Sequence, residues 1–493
     1  MLTFRRPFLA VLAVIPLVAG CATIGHGDRQ RLVRLFADLR QAPRKEPVII
    51  IPGALGSILE DTETGRVAWG RMGGRGLEAL ALPIDHETLR DNHDAIVAVN
   101  VLRRMAVIPG LIEFKANEDL IRVLQEAGGY DKGDLEHPRP GDNCFLFWYD
   151  WRRDLVEAAQ QLGAMIERLA REMGDPNLKV HLIAQSAGGL VARYYVKYGT
   201  ADVLDQEPLP APTYAGAKHV AQVIMLGTPN NGSLETFQSL HQGFTVPNMG
   251  RFSPAMVFTM PAAYQLLPHE EQTVFLDGHG RPLEVNLYDP ANWEIYGWSV
   301  FGPERLTTSQ QHLAQQRRFL SLALRRAKRF QRALDTGNPA DDPVEYALLG
   351  SDCQPTSRRA LLEKDGSVWR TRFRSDDRGL TAKLFGLGDG SVTKESLLGS
   401  HRTGISQSDL VFSTLHVANA VFVCESHLQL TQNLTALDNL LHALLVHETT
   451  AQHHAICLYC QRRFGALNAK PVTDSAEREG TGTSSQPSYR EGS

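Results

Sequence analysis

The sequence predicts an α/β protein, a mostly parallel sheet flanked by helices with an inserted, mainly helical cap, and three observations lead there. Short runs rich in β-branched and aromatic residues recur along the chain, apolar at nearly every position, as strands buried on both faces are. Stretches with apolar residues at helical spacing fall between them, the order of βαβ units. After Gly227-Thr228-Pro229 that alternation stops, and it resumes only near Tyr346, which leaves room for an insertion.

The chain opens with Arg5 and Arg6, an apolar run from Pro7 to Val18, and Ala19-Gly20 ahead of Cys21: a charged n-region, a short h-region and a small-residue cleavage site. The run falls short of the ~20 apolar residues that span a bilayer. This segment resembles a bacterial lipoprotein signal with Val18-Ala19-Gly20-Cys21 as its lipobox. The resemblance implies removal of residues 1–20, a diacylglycerol group on the Cys21 thiol, and a lipid-anchored protein of the bacterial cell envelope. Ala22 lacks the aspartate associated with inner-membrane retention, which points to the outer membrane. Residues 21–46 read as a polar tether with one amphipathic helix from Arg31 onward.

The folded domain spans 47–464. Pro47-Val48-Ile49-Ile50-Ile51-Pro52 is its first strand, closed by Pro52-Gly53. Cys144 to Trp148, Val180 to Ala184 and Val220 to Leu226 follow, with helices expected over Asn117 to Gln125, Leu155 to Glu172 and Gly189 to Lys197. A cap fills about 232–338 and includes the aromatic loop Trp293-Glu294-Ile295-Tyr296-Gly297-Trp298. Tyr346 to Gly350 and Val421 to Cys424 complete the strands. Residues 465–493 are rich in Ser, Gly, Thr and Glu without apolar periodicity and are expected to be disordered.

With 51 basic and 55 acidic residues the formal net charge is −4, so no nucleic-acid partner is expected. Arg317, Arg318, Arg325, Arg326, Lys328 and Arg329 form a local basic cluster at helical spacing. It reads as a solvated helix face, with anionic lipid head groups as the sharper alternative. Beyond Cys21 there are five cysteines, Cys144, Cys353, Cys424, Cys457 and Cys460, an odd number in a compartment that permits disulfides. Cys457-Leu458-Tyr459-Cys460 after His453 and His454 has metal-ligand spacing, but no second ligand pair accompanies it. No metal and no cofactor are expected.

Lys179-Val180-His181-Leu182-Ile183-Ala184 runs into Gln185-Ser186-Ala187-Gly188-Gly189, after which helical spacing begins. Strand, sharp turn and helix with a serine at the apex make the nucleophile elbow of an α/β-hydrolase, where small residues let strand and helix approach. Here Ala184 stands at the first small position, where glycine is usual. A serine nucleophile needs a base, an acid to orient the base and donors for the oxyanion, and in this fold acid and histidine follow the serine in that order. Asp389 in Gly388-Asp389-Gly390-Ser391-Val392 is the candidate acid, with Asp352 as the alternative because it directly follows a strand. His427, just after the strand ending at Cys424, is the candidate base, with His416 second. The oxyanion donors are expected to be the backbone N–H groups of Ala187 and of Ala54, in the loop Pro52-Gly53-Ala54-Leu55-Gly56-Ser57.

These residues resemble the lecithin:cholesterol acyltransferase family of α/β-hydrolases. Pro47 to Glu60 looks like its opening strand and oxyanion loop, and Tyr149-Asp150-Trp151-Arg152 is similar to its Tyr-Asp-Trp-Arg segment. Leu226-Gly227-Thr228-Pro229-Asn230-Asn231-Gly232-Ser233 resembles the strand end before its cap, and Pro261 to Pro268 a cap segment. The family's acid turn maps onto Asp389 and its late histidine onto His427. The resemblance implies a cap and lid over an acyl pocket and interfacial action on lipids. A lid disulfide of the family has no counterpart, since the stretch from Asp61 to Glu113 contains no cysteine. A mobile lid over Trp69 and Gly70 to Gly76 is still expected.

The expected function is therefore a lipid O-acyltransferase, moving an acyl group from membrane phospholipid or another ester lipid to an acceptor alcohol through Ser186. Hydrolysis of the same esters by a lipase or phospholipase is the near alternative. A non-catalytic lipid-binding lipoprotein is the distant one.

Overall fold

The computed structural model describes residues 26–41, 45–71, 76–108, 112–114, 117–135, 137–139, 141–302, 308–402 and 411–446. The lipobox with Cys21, the Cys457/Cys460 pair with His453 and His454, residues 72–75 of the expected lid and the 465–493 tail lie outside them.

Six strands form the central sheet: β1 (Val48–Ile51), β2 (Cys144–Leu146), β3 (Val180–Gln185), β4 (Val220–Leu226), β5 (Glu345–Ser351) and β6 (Val417–Val423). Their order is β6-β5-β4-β3-β1-β2, and every neighbouring pair is parallel. The fold is that of an α/β-hydrolase. The principal helices are α1 (His26–Leu35), α2 (Glu118–Glu126), α3 (Leu155–Glu172), α4 (Ala187–Tyr198), α5 (Leu234–Gln242), α6 (Gln310–Asp335) and α7 (Leu434–Val446).

Successive strand side chains point to opposite faces, so a fully apolar strand serves two cores. Val48 and Ile50 pack with Leu120, Leu124, Leu437 and Leu441 of α2 and α7. Ile49 and Ile51 join Leu155 and Leu162 of α3 and Leu190 and Val191 of α4 on the other face. Helix α3 begins where the Asp154 carboxylate accepts from the Val156 N–H, and it buries Leu155, Val156, Ala159, Leu162, Ile166 and Leu169, one stripe at helical spacing. The edge strand β6 starts four residues ahead of Val421, because Ala418, Asn419 and Ala420 are exposed and carry no apolar run to reveal them.

Beyond Gly232 the chain builds the cap on α5 and α6 and on a cluster of aromatic rings. Phe237 lies 4.9 Å from Trp298 by ring centroids and 6.0 Å from Trp293, both edge to face. The cap also reaches past residue 338: the strands Phe275–Leu276 and Pro282–Leu283 join Ala360–Asp365 and Val368–Arg372 in a four-stranded sheet. Helix α6 is tied to α4 at its C-terminal end, where carbonyls lack partners and cations are favoured. There Lys197 of α4 donates to the carbonyls of Leu334 and Thr336, and Arg193, fully buried, pairs with Asp335.

The basic face of α6 is largely neutralised within the molecule. Arg317 pairs with Glu294, Arg318 with Glu87, Arg326 with Asp154 and Asp202, Lys328 with Glu270, and Arg329 with Glu207. Arg317 and Arg325 remain exposed, so part of the face is solvated, while Arg326 and Arg329 form an ion-paired seam against Asp154, Asp202 and Glu207. Trp69 likewise belongs to the core rather than to a lid, at 1% exposure and in edge contact with Trp151 and Phe252.

Candidate active site

The sheet's C-terminal edge gathers the loops after β1, β3, β4, β5 and β6, as expected for ligand sites in open parallel sheets. Ser186 sits between β3 and α4 with φ 51° and ψ −127°, in the left-handed half of backbone space that a non-glycine residue rarely enters. The crowding around it explains the small residues. A Cβ on Gly188 would lie 2.6 Å from the Pro52 carbonyl oxygen, and one on Gly189 would lie 2.0 Å from Thr228 Oγ1. Ala184 is completely buried in the core on the α3/α4 side, so its methyl group is accommodated.

His427 opens a short 3-10 turn, His427–Gln432, just after β6. Its Nε2 lies 3.0 Å from Ser186 Oγ and its Nδ1 2.7 Å from Asp389 Oδ2. Asp389 is buried, and its other oxygen, Oδ1, accepts from the Ser391 and Val392 N–H groups at 2.9 and 2.7 Å, leaving Oδ2 for the imidazole. The His427 N–H donates to the Asp389 carbonyl at 2.8 Å, so main chain as well as side chain joins the two. Burial by itself would depress the His427 pKa; the adjacent Asp389 carboxylate overcomes it and Glu235 adds to the pull, so the imidazole titrates above the ordinary histidine value. The sequence's alternatives lie elsewhere. Asp352 takes an ion pair from Lys394 at 2.9 Å, and His416 Nδ1 is bound to the Asp342 carbonyl at 2.9 Å.

The loop after β1 lies against the serine. A Cβ on Gly53 would come within 2.7 Å of Ser186 Cβ, so glycine is required for this approach. Ala54, the next residue, is exposed. Ala187 is the first residue of α4, where an N–H has no intrahelical acceptor. Ala187 thus adjoins Ser186 in the chain, and the loop that carries Ala54 lies against it.

Several residues around the site were not assigned roles by sequence reasoning. Gly227, at φ 60°, packs beneath the acid–histidine pair: a Cβ there would sit 3.0 Å from both Asp389 Oδ2 and His427 Nδ1. The segment Asn230–Ser233 clasps the acid loop. Asn230 Nδ2 donates to the Leu397 carbonyl (2.7 Å), Asn231 Nδ2 to that of Ser400 (2.9 Å), Ser396 Oγ to that of Gly232 (2.6 Å) and Ser233 Oγ to that of Ser391 (2.6 Å). A disulfide joins Cys353, two residues past β5, to Cys424, one residue past β6 and three before His427. Cys144 is a free, buried thiol in β2. The run Leu226 to Ser233, notable in the sequence as a family segment, was the signal that pointed to the clasp without revealing its contacts. Among the described residues no cluster of His, Cys, Asp and Glu is placed to hold a metal. Nor is any helix among them long and apolar enough to cross a membrane.

The lecithin:cholesterol acyltransferase family model matches residues 139–294, which contain β2, the elbow, β4 and much of the cap. No curated protein sequence matches the chain. Among solved structures, a crystal structure of a Tle4–Tli4 complex is similar over 81% of this chain and 98% of its own, with 14% identity and a TM-score of 0.50. The mature form of Bacillus licheniformis lipase BlEst2 is similar over 82% and 93%, with 11% identity and a TM-score of 0.32. Lipase 1 from Pelosinus fermentans is similar over 82% and 99%, with 13% identity and a TM-score of 0.31. At such identities the likeness concerns the fold alone. The family match supports activity on lipid esters of the serine-hydrolase type.

Proposed function

We propose that this α/β-hydrolase, resembling the lecithin:cholesterol acyltransferase family over 139–294, is a lipid O-acyltransferase that works through an acyl-enzyme on Ser186. The observation that carries the reading is His427 bridging Ser186 Oγ at 3.0 Å and Asp389 Oδ2 at 2.7 Å. In the first half-reaction Ser186 Oγ attacks the ester carbonyl carbon of a phospholipid or similar donor while its proton passes to His427 Nε2. The carbonyl π electrons move to oxygen, and the Ala54 and Ala187 N–H groups stabilise that oxyanion. Collapse breaks the C–O bond to the donor alcohol, which takes the proton from His427. In the second half-reaction an acceptor alcohol gives its proton to His427 and attacks the acyl carbonyl; collapse breaks the acyl C–O bond to Ser186 Oγ, which takes that proton back from His427. Asp389 holds the imidazole tautomer and stabilises the imidazolium without itself taking the proton.

Water can replace the acceptor in the second half, and then the enzyme is a lipase. The partial exposure of Ser186 favours that second reading, because transfer requires the acceptor to outcompete solvent at the acyl carbonyl. In the same proposal Cys21 carries the lipid anchor and holds the enzyme on the outer membrane of a bacterial envelope, beside its substrate.

A fluorophosphonate probe should label the wild type and not Ser186→Ala; no labelling at any pH near neutrality removes the enzyme reading and leaves a lipid-binding protein. Incubation with acyl-labelled phosphatidylcholine and a sterol or diacylglycerol then separates the two reactions. New ester supports transfer, whereas free fatty acid as sole product makes the protein a lipase. Mass spectrometry of the N-terminal peptide, with Cys21→Ala as control, tests the anchor.

A further inference from the structure

We infer, on the basis of the serine-enzyme reading above, that Tyr149, Trp151 and Trp69 are positioning residues that hold the loop Pro52–Ser57 in the shape that offers the Ala54 N–H to the oxyanion. Each of the three has one side-chain donor, and all three donors end on this one six-residue loop. The Tyr149 hydroxyl donates to the Pro52 carbonyl at 3.0 Å, Trp69 Nε1 to that of Leu55 at 2.8 Å, and Trp151 Nε1 to that of Ser57 at 3.2 Å. The Tyr149 N–H adds a bond to Ser57 Oγ at 3.2 Å. Buried tyrosines and tryptophans ordinarily find some partner, so one such bond would mean little. What distinguishes this set is the convergence of three on carbonyls that bracket Ala54.

The loop needs holding because it is strained. Gly53 and Gly56 close a turn, the Gly56 N–H donating to the Gly53 carbonyl at 3.1 Å, and Leu55 inside it has φ 63°. A leucine rarely enters this left-handed region, and such residues persist only where their surroundings fix them. Trp69 bonds the carbonyl of that same residue. The Pro52 carbonyl, held by Tyr149, is also the oxygen that excludes a side chain at Gly188, so the loop is wedged between the tyrosine and the first turn of α4.

The aromatic donors are themselves immobile. Tyr149 and Trp69 are 1% exposed and Trp151 4%, and Trp69 meets Trp151 edge on at 5.8 Å. Arg152, next in the chain and fully buried, is locked between Asp94 and Asp150, each at 2.7 Å, and also donates to the carbonyls of Leu80 and Ile96. The Tyr-Asp-Trp-Arg segment thus becomes a frame whose aromatic members reach the oxyanion loop and whose arginine anchors the frame.

The test uses the full chain with p-nitrophenyl butyrate as substrate and an alkyl trifluoromethyl ketone, whose hemiketal oxyanion mimics the transition state, as inhibitor. Tyr149→Phe, which removes one oxygen atom, and Trp69→Phe are each expected to lower kcat by about ten- to a hundredfold, less than or equal to loss of an oxyanion donor, with KM nearly unchanged. Trifluoromethyl ketone affinity should fall by the same factor, which loss of fold would not produce in a variant with wild-type circular dichroism. In a Leu55→Gly background, where φ 63° is unstrained, the Trp69→Phe penalty should shrink. Folded variants with wild-type kcat, or with lower kcat and unchanged ketone affinity, overturn the inference. A Trp69→Phe penalty equal in both backgrounds also overturns it. If Trp69→Phe does not fold, Tyr149→Phe decides alone. Absence of fluorophosphonate labelling in the wild type removes the enzyme reading along with this inference; labelled wild type beside unaffected variants removes only this inference.

Discussion

The two halves of the site are built in different ways. The nucleophile half is local: Ser186 and Ala187 are neighbours in the chain, and the loop holding Ala54 leaves β1, the strand hydrogen-bonded to β3. At the elbow itself shape suffices, through small residues and glycines, while the Ala54 loop also takes side-chain bonds from Tyr149, Trp151 and Trp69. The acid–histidine half is assembled from distant pieces. Asp389 follows the strand Phe385–Gly388, which pairs antiparallel with Gln354–Ser357, while His427 follows β6. Side-chain clasps and a disulfide hold these pieces at the end of β4. The contrast teaches that a strand–turn–helix needs only permissive residues, whereas a base and acid arriving from separate loops need explicit ties.

That difference can be attacked at five points. Asp389→Asn should have the largest effect, about 10³–10⁴-fold in kcat, because an amide in place of Oδ2 favours the wrong imidazole tautomer; steady-state kinetics on an ester substrate measure it. If activity survives, orientation of His427 does not depend on this residue. Removing the Cys353–Cys424 bridge, as the double serine variant, opens a 71-residue loop and should lower stability by about 2–4 kcal/mol, read by denaturant unfolding without reductant. Unchanged unfolding would show that the clasp suffices. Ser396→Ala leaves the Gly232 carbonyl without its 2.6 Å donor, for a loss of about 1–3 kcal/mol and a fall in kcat rather than a rise in KM.

Glu235→Gln is a subtler probe. In the proposed mechanism His427 must be neutral to act as base, so kcat/KM should rise with pH through the His427 pKa, which Asp389 and Glu235 hold above the ordinary histidine value. Deleting the Glu235 charge lowers that pKa, and the acid limb of the pH profile should move to lower pH. A shift upward, or none, would rule out this carboxylate as a contributor. The smallest effect belongs to the nucleophile half: Ala184→Gly should lower stability by about 0.5–1 kcal/mol and leave kcat unaltered, since the position asks only for smallness. A large change in kcat would mean that the local half also relies on specific packing.

The same division explains what the sequence discloses. Each central strand is legible because burial on both faces demands an unbroken apolar run, and β6 is read short because its edge position relaxes that demand. Ser186, Asp389 and His427 stand out because small and turn-forming residues mark the sharp bends that deliver them. The pairing of Cys353 with Cys424 carries no signal in spacing, since 71 residues separate them. Nor does any local pattern announce that residues 275–283 find partners at 360–372, or that the arginines of α6 have carboxylates waiting on other loops. Trp69, expected with the lid, is a core residue because its indole N–H is bonded to the Leu55 carbonyl and its ring is buried in edge contact with Trp151 and Phe252, which a one-dimensional pattern does not reveal.

The separation of Ser186 from His427 by 241 residues also has a consequence in time. At a synthesis rate of ~5–20 residues per second, the ribosome delivers the serine roughly 10–50 s before the histidine. Throughout that interval the elbow can form on β3 and α4, but the edge strand that brings the base does not yet exist. On the proposed mechanism, a nascent chain of this protein carries its nucleophile unarmed.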